Sequence, residues 1–167
     1  MPDAKTVFQH RFDKIEDYLH HRPPYLLVGK IVEIQDQQIS TLHRVDEKAD
    51  FIKGHFPGAQ IMPGAMMQEF STQSAGILIA ANYNPMEKYD THDPLFNEYA
   101  LGVLVKVKRA RYRGFARPGD VLEAVVKIDE QIGDVFDFSC TIRVDDKTVM
   151  QNQFQLMNIK SSVLQGK

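Results

Sequence analysis

The chain has 167 residues, 43% of them hydrophobic and 25% charged, with a formal net charge of −2. That length suits one domain over residues 1–167 with a real core, and that charge balance gives the whole surface no pull on nucleic acid. The single cysteine, Cys140, excludes an internal disulfide, and no apolar run reaches the length of a membrane span. With no basic start or apolar run of a signal peptide at the N-terminus, the expected location is the cytoplasm.

Residues 6–20 place Val7, Phe8, Phe12, Ile15, Tyr18 and Leu19 near helical spacing, which predicts a short amphipathic helix. Arg22-Pro23-Pro24 ends it, because a residue before proline avoids the helical region. Residues 25–34 are rich in β-formers and predict a strand. Asp36-Gln37-Gln38 turns the chain, and residues 39–45 return. Phe51-Ile52-Lys53 leads into a loop, His55-Phe56-Pro57-Gly58, whose Pro-Gly pair is a turn signal.

A helix is predicted from Gly64 to near Asn82, with Pro63 at its first position. It is apolar or small on nearly all faces, so it belongs inside the protein. Residues 82–99 are polar, with two prolines and four aromatics, and read as a lid or a contact to a neighbouring subunit. From residue 100 the pattern is β: strands over 101–115, 121–128, 135–144 and 148–159, with turns at Arg117-Pro118-Gly119-Asp120, Gly133-Asp134 and Asp145-Asp146-Lys147. Residues from Ser161 onward read as a frayed end. The sum is an α+β layout in which about six antiparallel strands curl round one long buried helix.

The helix carries a carboxylate, Glu69, in its second turn, and a buried carboxylate needs a partner. The His55 imidazole, in the preceding loop, is the expected one. An imidazole exchanges protons near neutral pH, and a carboxyl group in apolar surroundings can stay protonated there. The two together suit removal of a weakly acidic C–H proton while a hydroxyl leaves as water. The unpaired N–H groups at Gly64 and Ala65, at the positive end of the helix dipole, would stabilise the enolate oxygen that develops. Gln73, four residues after Glu69, lies on the same helix face and can orient the carboxyl group. The plainer alternatives are a solvated histidine and a structural Glu paired with an arginine.

These residues resemble a known family. His55-Phe56-Pro57-Gly58, Ile61-Met62-Pro63-Gly64, Met67-Gln68-Glu69 and Gln73 are similar to the motifs of the 3-hydroxyacyl-acyl-carrier-protein dehydratases of the hot-dog fold. The branch is the Glu-type (FabZ-like) one, since the helix carries Glu69 and not Asp. His21-Arg22-Pro23-Pro24-Tyr25-Leu26-Leu27-Val28, and Ala110-Arg111-Tyr112-Arg113 with Arg117-Pro118-Gly119-Asp120, resemble two further family segments. The resemblance implies His55 as the base for the α-proton, Glu69 as the acid for the departing hydroxyl, and Gly64 N–H on the thioester carbonyl. It implies no cofactor. It also implies a homodimer whose sites take the histidine and the glutamate from different subunits, often assembled further into hexamers. The substrate it implies is an acyl chain on acyl carrier protein. Gly29 departs from an acidic residue usual in the family. Val103 and Leu104 stand where relatives often carry a tyrosine that gates the acyl tunnel. The acyl length and the pathway stay open: fatty acid, polyketide or aryl polyene. A hot-dog thioesterase and a non-catalytic carrier-binding subunit are the competing readings.

Lys106, Lys108, Arg109, Arg111, Arg113 and Arg117 form a basic run that reads either as a docking patch for an acidic carrier protein or as a solvated strand face. His20 and His21 have no third ligand at metal spacing and read as structural or surface residues. Cys140 reads as a small core residue and not a nucleophile, and Met62, Met66 and Met67 read as core or tunnel lining.

Overall fold

A computed structural model describes residues 5–93 and 98–166. Among these residues, six strands form one antiparallel sheet: β1 (Lys30–Ile34), β2 (Gln38–Arg44), β3 (Tyr99–Tyr112), β4 (Val121–Ile132), β5 (Val135–Val144) and β6 (Lys147–Lys160). The spatial order is β1-β2-β4-β5-β6-β3, so β3 and β1 are the two edges. The described residues also form three α-helices: α1 (Asp50–Lys53), α2 (Gly64–Asn82) and α3 (Ser161–Leu164). This is the hot-dog arrangement: α2 packs into the sheet against β2, β4, β5, β6 and β3.

The patterning that builds the sheet is plain in β5, where Phe136, Phe138, Cys140 and Ile142 are buried at every second position. Their rings continue across the strands, with Phe138 stacked on Phe154 at 5.5 Å between centroids. The β5–β6 turn is closed by Asp145 and Asp146 at φ 48° and 62°, as a two-residue hairpin with matching twist requires.

Helix α2 is buried from Met67 to Asn82 except at Glu69. Its polar side chains are satisfied internally. Ser71 and Thr72 donate to Gln68 O at 2.7 and 3.0 Å, Ser74 donates to Phe70 O at 2.8 Å, and Asn152 donates to Gln68 Oε1 at 2.7 Å. A buried polar group without such partners would cost about 1–3 kcal/mol. β3 crosses α2 closely because two glycines meet there. A Cβ on Gly102 would stand 3.1 Å from Gly76 Cα, and Gly102 has φ +77°. Gly102→Ala is therefore expected to cost about 1–3 kcal/mol and to lower Tm by roughly 2–12 °C, which thermal melting by circular dichroism reads directly.

Several expectations are corrected. Residues 6–20 do not form a helix. Phe8 N–H donates to Asn84 O and His10 N–H to Ala81 O, so the segment runs extended along the end of α2, with one 3-10 turn at Ile15–Asp17. A short isolated helix is marginal, and tertiary hydrogen bonds win. The strand predicted over 25–34 starts only at Lys30, because Leu27 N–H goes to the Gln73 side chain instead of a neighbouring strand. Pro63 is the extended residue before α2 and not its first helical residue. The single turn α1 replaces an expected lead-in segment, and α3 replaces the frayed end. Over 82–93, the polar segment clasps its own N-terminal stretch: Tyr89 donates to Tyr18 O and Arg22 to Thr91 O. The prolines and aromatics behind the expectation of a lid or subunit contact include residues 94–97, which lie outside the described residues.

Candidate active site

The loop after α1 is shaped by its own hydrogen bonds. Ala59 N–H donates to Phe56 O at 2.9 Å across Pro57-Gly58, and Gly58 has φ +77°, the geometry of a type II turn. Ile61 N–H closes back on His55 O at 2.9 Å, and Met62 N–H ties the exit to Ala116 O at 2.8 Å. His55 is half-buried and lies flat on Phe56, 4.3 Å between centroids. Its Nδ1 stands 3.2 Å from Ile61 O. A carbonyl only accepts, so this contact places the proton on Nδ1 and leaves Nε2 with the lone pair of a base.

Pro63 O receives the N–H groups of Met66 and Met67, at 2.9 and 3.1 Å. Among the described residues, no carbonyl receives those of Gly64 and Ala65. The two free donors at the start of α2 are therefore where the sequence places them. What presses on Gly64 is the Tyr112 ring: a Cβ there would come within 2.8 Å of Tyr112 Cε1.

Glu69 is held by Gln73, with Tyr25 and His21 beside it. Gln73 Nε2 donates to Glu69 Oε1 at 3.0 Å and to Tyr25 O at 2.9 Å, while Gln73 Oε1 accepts Leu27 N–H at 2.7 Å. Because a backbone N–H only donates, the amide cannot be flipped, and its NH₂ must face the carboxyl group. Tyr25 stands beside Glu69, where burial first, then the carboxylate's charge, raises its phenol above the ordinary value. His21 Nε2 lies 3.7 Å from Glu69, with its ring stacked on Tyr25. Burial holds the His21 imidazole below its ordinary value, so it is neutral at pH 7 and no full ion pair forms.

The expected His55–Glu69 pairing within one chain is not there. Among the described residues, His55 bonds to Ile61 and Glu69 to Gln73. His21 and Tyr25, read from the sequence as surface and strand residues, stand at the carboxyl group instead. The signal available was the density of ring side chains in His20-His21-Arg22-Pro23-Pro24-Tyr25. Beside Glu69 opens a largely apolar cavity of about 470 Å³, walled by Thr72, Leu101, Val103, Leu104 and Leu164 among others.

The basic run divides. The strand register puts Lys106, Arg109 and Arg111 opposite Gln155, Gln153 and Gln151, on the sheet face away from α2. Lys108 is paired with Asp137 at 2.6 Å. Arg109, Arg111 and Arg113 line a hollow of about 320 Å³ with uncharged neighbours such as Thr141 and Gln151. Arg117 sits apart in a turn, over the Phe115 ring. No group of three His, Cys, Asp or Glu among the described residues is placed to hold a metal, and no described helix is long and apolar enough to cross a membrane.

A FabA-like domain model matches residues 19–153, most of the chain. The chain belongs to the FabA-like family. Among FabA-like relatives, the 3-hydroxyacyl-[acyl-carrier-protein] dehydratase FabZ of Rickettsia bellii is 31% identical over 145 residues, covering 86% of this chain and 92% of the relative. The FabZ of Anaeromyxobacter sp. (strain K) is 33% identical over 144 residues, covering 86% of each. The dehydratase heterocomplex ApeI:P of Xenorhabdus doucetiae superposes with a TM-score of 0.72 at 18% identity, covering 93% of this chain and 97% of that one. At that identity the likeness speaks for the fold alone.

Proposed function

We propose that this FabA-like chain dehydrates 3-hydroxyacyl thioesters carried on acyl carrier protein to trans-2-enoyl thioesters, in fatty-acid or related acyl-chain synthesis. The observation that carries the reading is Glu69. It is a carboxyl group oriented by Gln73 at the wall of an apolar cavity, on a helix whose start offers the free N–H groups of Gly64 and Ala65. The thioester oxygen accepts from those N–H groups. His55 Nε2 takes the α-proton, and the electron pair passes to the carbonyl oxygen as an enolate. The pair then returns to form the α–β double bond as the β-hydroxyl leaves, taking a proton from Glu69 to become water. Transfer of the proton from His55 back to Glu69 resets the site.

The site is shared by two copies of the chain. β3 is a sheet edge of 14 residues with apolar side chains uncovered on its helix side: Leu104 is 39% exposed, Val107 44% and Tyr112 50%. Long apolar edges are where strands add. The end of β3 at Tyr112 lies beside Gly64 and the His55 loop, whereas the end at Leu101–Leu104 lies beside Glu69. Antiparallel pairing of β3 with its twofold mate sets opposite ends side by side. The His55 loop of one copy then meets the Glu69 cavity of the other.

The test is 3-hydroxybutyryl-carrier protein followed by enoyl absorbance and by free thiol. The reading expects enoyl product with no thiol released. Thiol release without enoyl would mark a thioesterase, and carrier binding without turnover a non-catalytic subunit. The outer-face arginines are assigned to carrier docking. Neutralising Arg111 and Arg113 together is expected to raise KM severalfold for carrier-bound substrate and leave KM for the pantetheine thioester unchanged.

A further inference from the structure

Helix α3 lies beyond the residues that the FabA-like model matches. It nevertheless reaches the cavity beside Glu69, which Leu164 lines together with Leu101, Val103 and Leu104 of β3. One further wall is made by the side chains of His20, His21 and Tyr25, and two are set by backbone. The β3 wall bulges between Ala100 and Val103, and its Gly102 lies against Gly76 with no room for a Cβ. The α2 wall is the buried central helix. α3 is different in kind. It is a single turn, pinned at its start by Ser161 N–H to Glu98 O at 2.9 Å, with Leu164 57% exposed. A half-exposed leucine on the wall of an apolar cavity gains burial when an apolar chain fills that cavity. A volume of about 470 Å³ is that of a small-molecule site.

We infer that α3 is the end wall of the acyl pocket and that Leu164 is a specificity-determining residue for the length of an unbranched acyl chain. The inference rests on the dehydratase reading. A methylene kept from burial by the wall weakens binding about fourfold, so moving the wall by two methylenes changes chain preference about sixteenfold.

Three variants test this: Leu164→Ala, Leu164→Trp, and a chain ending at Lys160. Each is assayed for kcat/KM on 3-hydroxybutyryl, 3-hydroxyoctanoyl and 3-hydroxydodecanoyl pantetheine. Each is also titrated with octanoyl-pantetheine, which has no hydroxyl to lose. The dodecanoyl-to-butyryl ratio is expected to rise in Leu164→Ala and in the shortened chain, and to fall in Leu164→Trp. Octanoyl-pantetheine affinity is expected to fall in Leu164→Trp. Ratios and affinities that stay within twofold of the unaltered protein in all three variants overturn the inference. An unaltered protein that turns over none of the three substrates, yet loses octanoyl affinity in Leu164→Trp, would sink the dehydratase reading and leave the pocket assignment standing. Because Leu164 is exposed in a single turn, unchanged Tm is expected in the two substitutions and confirms that the comparison is between folded proteins.

Discussion

Glu69→Gln is expected to remove turnover of 3-hydroxyacyl thioesters by a factor of about 10²–10⁴, the usual contribution of a positioned acid. The substitution is nearly isosteric. The new amide keeps an oxygen to accept from Gln73 Nε2, the bond that fixes the native carboxyl group at 3.0 Å. What it loses is a proton acidic enough to follow the departing hydroxyl. Glu69 is 16% exposed, and His21 beside it is neutral, so no buried cation is stranded by the change. Tm should accordingly hold while enoyl absorbance stops rising. Full activity in the variant would move the acid to another group, with Tyr25 and His21 the side chains beside it.

Mixing two inactive proteins is expected to restore activity. His55→Ala and Glu69→Gln are each expected to be inactive alone. If the sites are shared across the β3 edge, subunit exchange builds dimers with one doubly altered site and one intact site. Random assortment then leaves about one quarter of all sites intact. Native mass spectrometry on differently tagged chains reports the exchange, and enoyl absorbance reports the recovery. A mixture that exchanges subunits yet stays as inactive as its parts would place both residues in one chain's site, against the separation of their hydrogen-bond partners.

Much of this fold is legible in the amino-acid sequence. α2 announces itself by a long proline-free apolar run, and its observed end at Asn82 agrees with the end that run predicts. The hairpins are fixed by local chemistry at Gly133 and at Asp145-Asp146, where positive φ is required. The loop at His55 and the Gln73–Glu69 spacing also reach the structure as read. The N-terminal third is less legible, for one physical reason: its hydrogen bonds go to distant residues. Leu27 N–H finds Gln73, Phe8 finds Asn84, and Arg22 finds Thr91, contacts that no local periodicity encodes. That same third supplies His21 and Tyr25, the two site residues the sequence pattern does not disclose. α3 escapes the pattern because a four-residue turn with no side-chain cap carries no helical periodicity.

In a dehydratase, water leaves or joins the acyl chain at the β-carbon while the thioester survives. The measurement that meets this head-on is incubation of the protein with crotonyl-carrier protein in heavy-oxygen water, followed by mass spectrometry of the products. The label is expected in a 3-hydroxybutyryl group still attached to its carrier. Label in a free carboxylate, with the carrier thiol released, would contradict the dehydratase reading.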